Sequence, residues 1–526
     1  MEKTTFTRRS VLQAGVAAGS LFLPLPFAWV WAQSDGALTL LRLPKVALVV
    51  GNGGYKGAPL RNPTNDAKAI GDALKESGFA VTMMLDATRT EMVAAVQAYV
   101  KELEAKKCVG LFYYAGHGVQ LDWRNYMLPV DAEVDTVEDV QKQAVEVNTL
   151  IQGLAKASNA LNIIVLDACR DNPFGTARRP PQKGLSQLDA PARTILAYAT
   201  SPGNVASDGD GANGLYTEHL LREIKVAETK IEDVFKRVRL GVRRKSNGAQ
   251  IPWESTSLEE DFWFFPPAQL KKLSDDEKER LFQDELALWE KVQKAAAPGP
   301  LEDYLRRYPN GKFCELAQLQ LDRVLARQGE KKLLAASQEG NPFTKGSAEA
   351  DTNFAVGDSY TNRSSDLFTG IEQSTHTMTV ARITESEVIF SNGVVTDLLG
   401  NVRETHRGGR FSSRQQYPLE YVVGKRWTTR FESTNRQGAT GTSVLDLHIA
   451  ARERITVPAG TFDAFRIEGH GFTTGLPVGV VEMRPRWWMA PDQVRQPIRA
   501  EDHRTAKRGT RILVAQRTDL VSFKQQ

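Results

Sequence analysis

Tyr113-Tyr114-Ala115-Gly116-His117-Gly118 and Asp167-Ala168-Cys169-Arg170-Asp171 are the two stretches on which the reading of this chain turns. The first grows out of the apolar run Val109 to Tyr114, the second out of Ile163 to Leu166. Short apolar runs bounded by glycine or polar residues predict buried strands. Val46 to Val50, Phe79 to Met84 and Ile195 to Tyr198 are further strands of this kind, with amphipathic stretches at Asn65 to Ser77 and Arg89 to Lys106 between them. Strand and helix alternating from Lys45 to about Pro266 predict right-handed crossovers and a largely parallel sheet with helices on both faces. Reactive residues in such sheets gather where strands end at their carboxyl edge. Two neighbouring strands would deliver His117 and Cys169 to one edge.

That pairing has a chemical meaning. A nucleophilic thiol needs a nearby base or acid and free backbone N–H groups to bind an oxyanion. Glycines beside the histidine let a substrate backbone approach closely. The bland alternatives are a buried inert cysteine and a turn histidine. Another glycine cluster, Gly51-Asn52-Gly53-Gly54, also follows a strand, but it misses both the dinucleotide and the P-loop spacings and lacks a following Lys-Ser/Thr pair. It reads as a tight turn.

Several blocks in a fixed order extend the pattern: Val46-Ala-Leu-Val-Val-Gly-Asn52, Arg61-Asn-Pro-Thr-Asn-Asp66, Tyr113 to Gly118, Asp167 to Asp171, Tyr198-Ala-Thr200 and Gly214-Leu-Tyr-Thr217. A cysteine in such a setting, with a histidine about 50 residues upstream, resembles the caspase signature. The set is closer to bacterial caspase-like, metacaspase and paracaspase peptidases, over roughly residues 44 to 266. The resemblance implies a caspase-like α/β domain in which Cys169 is the nucleophile and His117 the proton shuttle. It also implies an oxyanion hole made by the backbone N–H groups of Gly118 and Cys169. No cofactor or bound metal is expected. The resemblance leaves calcium dependence open, because no loop has EF-hand spacing.

Specificity follows the same route. Caspases carry glutamine two residues before the cysteine; here that position is Asp167, as in the relatives that cut after Arg or Lys. Asp66 maps to an aspartate those relatives use, and Asp208 lies at the distance of a third acid in paracaspases. Carboxylates on one pocket floor pair with a guanidinium or ammonium and reject an acidic side chain. On the plainer reading Asp66 is a helix cap and Asp208 a turn residue. Asp171 departs from the glycine of caspases, with an effect on the thiol or on selectivity that the sequence leaves undecided. Arg178, Arg179 and Lys183 lie in a Pro/Gly-rich loop that relatives often cut themselves, so self-processing there is an expectation beside the alternative of an ordinary solvated loop.

The remainder of the 526 residues frames this domain. Net charge is +4 with 25% charged residues, which gives no electrostatic case for a nucleic-acid partner. Three cysteines make neither a disulfide framework nor a zinc pattern. Arg8-Arg9 ahead of an uncharged stretch from Ala14 to Ala32 reads as a Tat-type signal over residues 1–32, cleaved before Gln33, with an uncleaved anchor as the alternative. The expected location is periplasmic or secreted, and the mature chain is not expected to span a membrane. From 273 to 330, a capping box at Ser274 to Glu277 opens a helical region resembling one tetratricopeptide-like helical pair. Residues 350–526 are rich in Thr, Val, Ile and aromatics, with turns at Asn392-Gly393 and Pro458-Ala459-Gly460, and predict an antiparallel all-β domain. Its five histidines are scattered singly. The sequence as a whole therefore points to an exported cysteine endopeptidase acting on protein or peptide substrates after Arg or Lys. The rivals are a non-proteolytic caspase-fold scaffold, an envelope ligand-binding protein, and a hydrolase of small amides.

Overall fold

The computed structural model describes residues 36–134, 136–169, 184–207, 209, 211–268, 273–506 and 511–526, and only the backbone of Cys169. After a helical stretch over residues 36–42 (α1), the chain forms β1 (Lys45–Gly51), α2 (Pro63–Glu76), β2 (Ala80–Leu85) and α3 (Arg89–Lys106). Next come β3 (Val109–Leu121), β4 (Arg124–Met127), α4 (Val137–Gln143), β5 (Val145–Glu146), α5 (Val147–Ala157) and β6 (Leu161–Cys169). β7 (Thr194–Tyr198), α6 (Leu215–Ile224), α7 (Ile231–Lys245) and β8 (Trp253–Thr256) complete the domain. The main sheet runs β2-β1-β3-β6-β7-β8, all parallel except β8.

Both faces of this sheet are covered, which is why its strands are apolar without alternation. Ala47, Val49, Leu111, Tyr113, Ile163, Val165 and Ala197 pack in the core with α2, α6 and α7. Their neighbours Leu48, Val50, Phe112, Tyr114, Ile164, Leu166 and Tyr198 pack with α3 and α5 on the opposite side. Thr88 caps α3 through a capping box with Glu91, satisfying backbone donors that the first turn leaves free. One boundary differs from the sequence expectation. β3 does not stop at Tyr114 but continues through Gly-His-Gly to Leu121, then turns back into β4. The turn residues Asp122 and Trp123 both have positive φ (48° and 65°), the geometry that joins two twisted strands through two residues.

The capping box at Ser274 opens α8 (Asp275–Val292), which stops short of the Ala297 that composition suggested. α9 (Pro298–Arg307) begins on the Pro-Gly-Pro segment and α10 (Cys314–Arg327) follows. Trp289 stacks on Phe313 with ring centroids 6.1 Å apart and also contacts Tyr304, tying the three helices together. The C-terminal region is a 13-stranded antiparallel sheet. Its strands Thr440–Val457 and Gly460–Thr474 pair with each other across Pro458-Ala459 as well as with their outer neighbours, which closes the sheet into a ring. Both expected hairpin turns are present.

Ion pairs tie the α/β domain, the helical region and the ring together, two of their arginines lying on α7. Arg239 grips both carboxylate oxygens of Glu420, Arg243 reaches Asp322 and Glu330, and Lys425 pairs with Glu315 at 2.8 Å. Burial pushes the Glu420 carboxyl up, but Arg239, its hydrogen bonds, Lys425 and Lys332 outweigh that and hold it at about 2.

Candidate active site

Parallel pairing of β3 and β6 runs to the very end of β6, where His117 and Cys169 are Cα partners. The two residues singled out by sequence therefore meet side by side at the carboxyl edge of adjacent strands. Gly116 makes the local backbone possible. Its φ is +154°, and a Cβ there would lie 2.7 Å from the hydroxyls of both Tyr55 and Tyr114. Those hydroxyls clamp the histidine backbone: His117 N–H donates to Tyr55 Oη (3.0 Å), and Tyr114 Oη donates to the His117 carbonyl (2.7 Å).

The imidazole is 2% exposed and rests against the Tyr55 ring, with centroids 4.5 Å apart. Its Nε2 lies 2.7 Å from the Ala58 carbonyl. A carbonyl only accepts, so Nε2 carries a proton and the neutral ring keeps Nδ1 as its acceptor nitrogen. Gly118 pairs with Met127 in the β3–β4 hairpin, and a Cβ at Gly118 would fall 2.9 Å from Ala168 Cβ. The backbone of Gly118 thus lies directly beside the residue preceding Cys169.

Two of the three acids sit close by and are buried, Asp66 at 3% and Asp167 at 6% exposure. Asp66 does not cap its own helix, whose N-cap is Asn62 with no side-chain cap bond. It instead accepts from Asn213 Nδ2 (2.8 Å) and from the N–H of Gly214, the N-cap residue of α6 (3.0 Å). Asp167 accepts from Thr217 Oγ1 at 2.6 Å, two residues into the same helix. Thr217 spends its one proton there, so Tyr113 Oη, 2.6 Å away, donates to Thr217. Burial, and after it the charges of Asp167 and Asp66, push the Tyr113 phenol well up, which places both carboxylates around one buried ring. Both acids thus face the positive end of α6.

Asp208, Asp171, Arg178, Arg179, Lys183 and residues 1–32 lie outside the described residues. The glycine cluster after β1 is a turn: Gly53 and Gly54 N–H groups donate to Asp86 Oδ1 at 2.8 and 2.7 Å, filling the place an anion would take. Among the described residues no cluster of His, Cys, Asp or Glu could hold a metal ion, and no helix is long and apolar enough to cross a membrane. The other two thiols are buried; burial raises Cys108 and pushes Cys314 up to about 11, which suits packing rather than attack. Sequence reasoning missed Tyr55 and Ala58, which hold the histidine. It quoted Thr217 only as part of a block. No spacing signal marks a carbonyl as a partner, whereas Thr217 could have been found by asking what a hydroxyl does at the start of a helix facing two acids.

A sheet of this order, with histidine and cysteine in register at its edge, has the architecture of a caspase-type domain. A family model described as the caspase domain matches residues 44–263, and this part of the chain is a caspase domain. The chain is also similar to mucosa-associated lymphoid tissue lymphoma translocation protein 1 of Homo sapiens and to its homolog in Mus musculus. Each is 31% identical over 180 residues, which is 34% of this chain. The match spans about a fifth (21%) of the length of those relatives.

Proposed function

We propose that the domain is a cysteine endopeptidase that cleaves after Arg or Lys. The observation that carries this reading is the Cα register of His117 with Cys169 at the end of β6. In the proposed reaction the Cys169 thiolate attacks the scissile carbonyl while backbone N–H groups of Gly118 and Cys169 bind the oxyanion. His117, fixed in tautomer by the Ala58 carbonyl, takes the thiol proton on Nδ1 and returns it to the leaving amine. Water then releases the acyl group. Asp66 and Asp167, with Asp208, provide the counter-charge for the basic side chain; the first two are supported by their burial around Tyr113 and α6. Export through the Tat route belongs to the same proposal and rests on Arg8-Arg9.

The test is hydrolysis of paired fluorogenic peptides ending in Arg, Lys or Asp, with Cys169→Ala alongside and calcium present or absent. Turnover after Arg or Lys that vanishes in the variant is the expected result. Turnover after Asp would refute the acidic pocket. No turnover by a fully processed chain would turn the reading toward a scaffold.

A further inference from the structure

The irregular segment from 332 to 346, which turns at 339–340 and 342–343 and links the helical region to the ring, lies along the carboxyl edge of the caspase sheet. Leu333 N–H donates to the Gly248 carbonyl just ahead of β8 (3.2 Å), and Ala336 N–H donates to the Pro202 carbonyl in the loop leaving β7 (2.8 Å). In return Asn204 Nδ2 of that loop donates to the Leu334 carbonyl (2.8 Å). Farther along, Gln338 Oε1 accepts from Gln187 N–H (3.0 Å), Asn341 Nδ2 donates to the Gln187 carbonyl (2.9 Å), and Asp189 N–H donates to the Phe343 carbonyl (3.1 Å). The Phe343 ring then meets the Arg124 guanidinium on the hairpin that follows His117, 5.1 Å from its centroid.

One stretch of chain thus touches the loop after β7, the segment on the far side of the Cys169 loop, and the β3–β4 hairpin. Each adjoins the candidate site: the chain after β7 leads on to Asn213 and Gly214, which hold Asp66, Leu185 at the start of the second segment lies beside Gly118, and the hairpin continues the strand that carries His117. Most of the strap's contacts go to main-chain atoms, which fixes the path of those segments and not merely their side chains. The loop after β7 is held within itself by Asn204, whose N–H donates to the Ser201 carbonyl (3.1 Å) and whose Nδ2 donates to Ser201 Oγ (2.9 Å). Inside the domain Gln250 bridges it, donating to the Ala199 carbonyl (2.9 Å) and accepting from Ser207 N–H (3.0 Å); the outer side is held by the strap.

We propose that Gln338, Asn341 and Asn204 are positioning residues for the peptidase reaction, setting the substrate groove through the strap so that the seating of the C-terminal region decides how well substrate binds. The kinetic part rests on the peptidase reading; the structural part does not. A groove whose walls must first be ordered binds substrate less well by the fraction of time it is ordered, while chemistry in the bound complex is unchanged.

The experiment uses the full chain with Gln338→Ala and Asn204→Ala, and Gln338→Glu as the variant that keeps the acceptor oxygen. Hydrogen exchange is read over 186–190 and 201–207, and KM and kcat on Arg and Lys peptides. Losing one such hydrogen bond is expected to speed local exchange about five- to tenfold. It should raise KM, by no more than that factor, with kcat held, and Gln338→Glu should restore both. Unchanged exchange in both alanine variants, or a fall in kcat at constant KM, would overturn the proposal. A wild-type chain that cleaves no basic peptide would sink the peptidase reading and the kinetic role with it, whereas the exchange data would still decide whether the strap braces these loops.

Discussion

Thr217 offers a sharp test of how the acids are held. It is fully buried, donates to Asp167 at 2.6 Å and accepts from Tyr113 at 2.6 Å. Thr217→Val keeps the shape and removes both bonds. A hydrogen bond to a charged group contributes about 1.5–3 kcal/mol, and a stranded buried hydroxyl adds to the cost. Tyr113 Oη already lies 3.4 Å from the same Asp167 oxygen, so a small shift recovers part of the loss. The net destabilisation should be about 2 kcal/mol, or roughly 4–8 °C in the unfolding transition of a domain this size. Tyr113→Phe alone should cost less, about 1 kcal/mol, because Thr217 keeps its bond to Asp167. Adding Tyr113→Phe to Thr217→Val should cost only the part of the loss that the phenol recovers through Asp167, about 0.5 kcal/mol, which leaves a coupling of about 0.5 kcal/mol. Thr217→Ser should recover most of the stability. Calorimetry on the four-variant cycle decides this. Strict additivity, or a Thr217→Val protein as stable as wild type, would refute the relay from Tyr113 through Thr217 to Asp167.

Further outcomes follow from other sites. Gly116→Ala places a methyl 2.7 Å from two tyrosine hydroxyls at a φ disfavoured for side chains, and should cost about 2–4 kcal/mol by denaturant unfolding. The Glu420 carboxyl, held at about 2 against an ordinary 4.5, stabilises the folded chain above pH 4.5 and loses that effect as pH falls toward 2. The loss amounts to up to about 3 kcal/mol, and thermal unfolding of wild type should show a steeper acid dependence than Glu420→Gln, in which Glu315 and Asp322, also held below their ordinary values, still contribute. Replacing Arg178, Arg179 and Lys183 together should abolish any fragment produced by Cys169-dependent self-cleavage; mass spectrometry of aged samples reads it, and identical fragments would remove that loop as the site. Replacing Arg8 and Arg9 with lysine should leave the chain inside cells in which the wild type is exported.

The order of strands and helices could be read from the chain because each caspase-sheet strand is a compact apolar run closed by a turn. The extension of β3 past Tyr114 could not, since Gly-His-Gly looks like a loop. What keeps it a strand is tertiary: two tyrosine hydroxyls clamp the His117 backbone, and Gly116 leaves room for them. The register of His117 with Cys169 was foreseen as a shared edge, not as direct partnership. Asp66 shows the limit in another form. Its place near a helix start invited a cap, and it does serve a helix terminus, but that of α6, about 150 residues along the chain. The strap was passed over because polar, patternless sequence carries no periodic signal; its role depends on which loops lie beneath it.

Closure of the C-terminal ring has a consequence for the order of events during synthesis. The strand Ile512–Lys524 pairs with Ser359–Asp366, so the ring cannot close before the chain has been made to about Lys524. The caspase domain, by contrast, has all its strands by Thr256. At about 5–20 residues per second, the chain beyond Pro266 takes roughly 13–50 s to make. Throughout that interval the chain holds every strand of the caspase sheet but no ring to anchor the far end of the strap. On the proposal above, a nascent chain thus passes through a stage in which the loops beneath the strap are less firmly braced, and the pairing of Ile512–Lys524 with Ser359–Asp366 closes that stage.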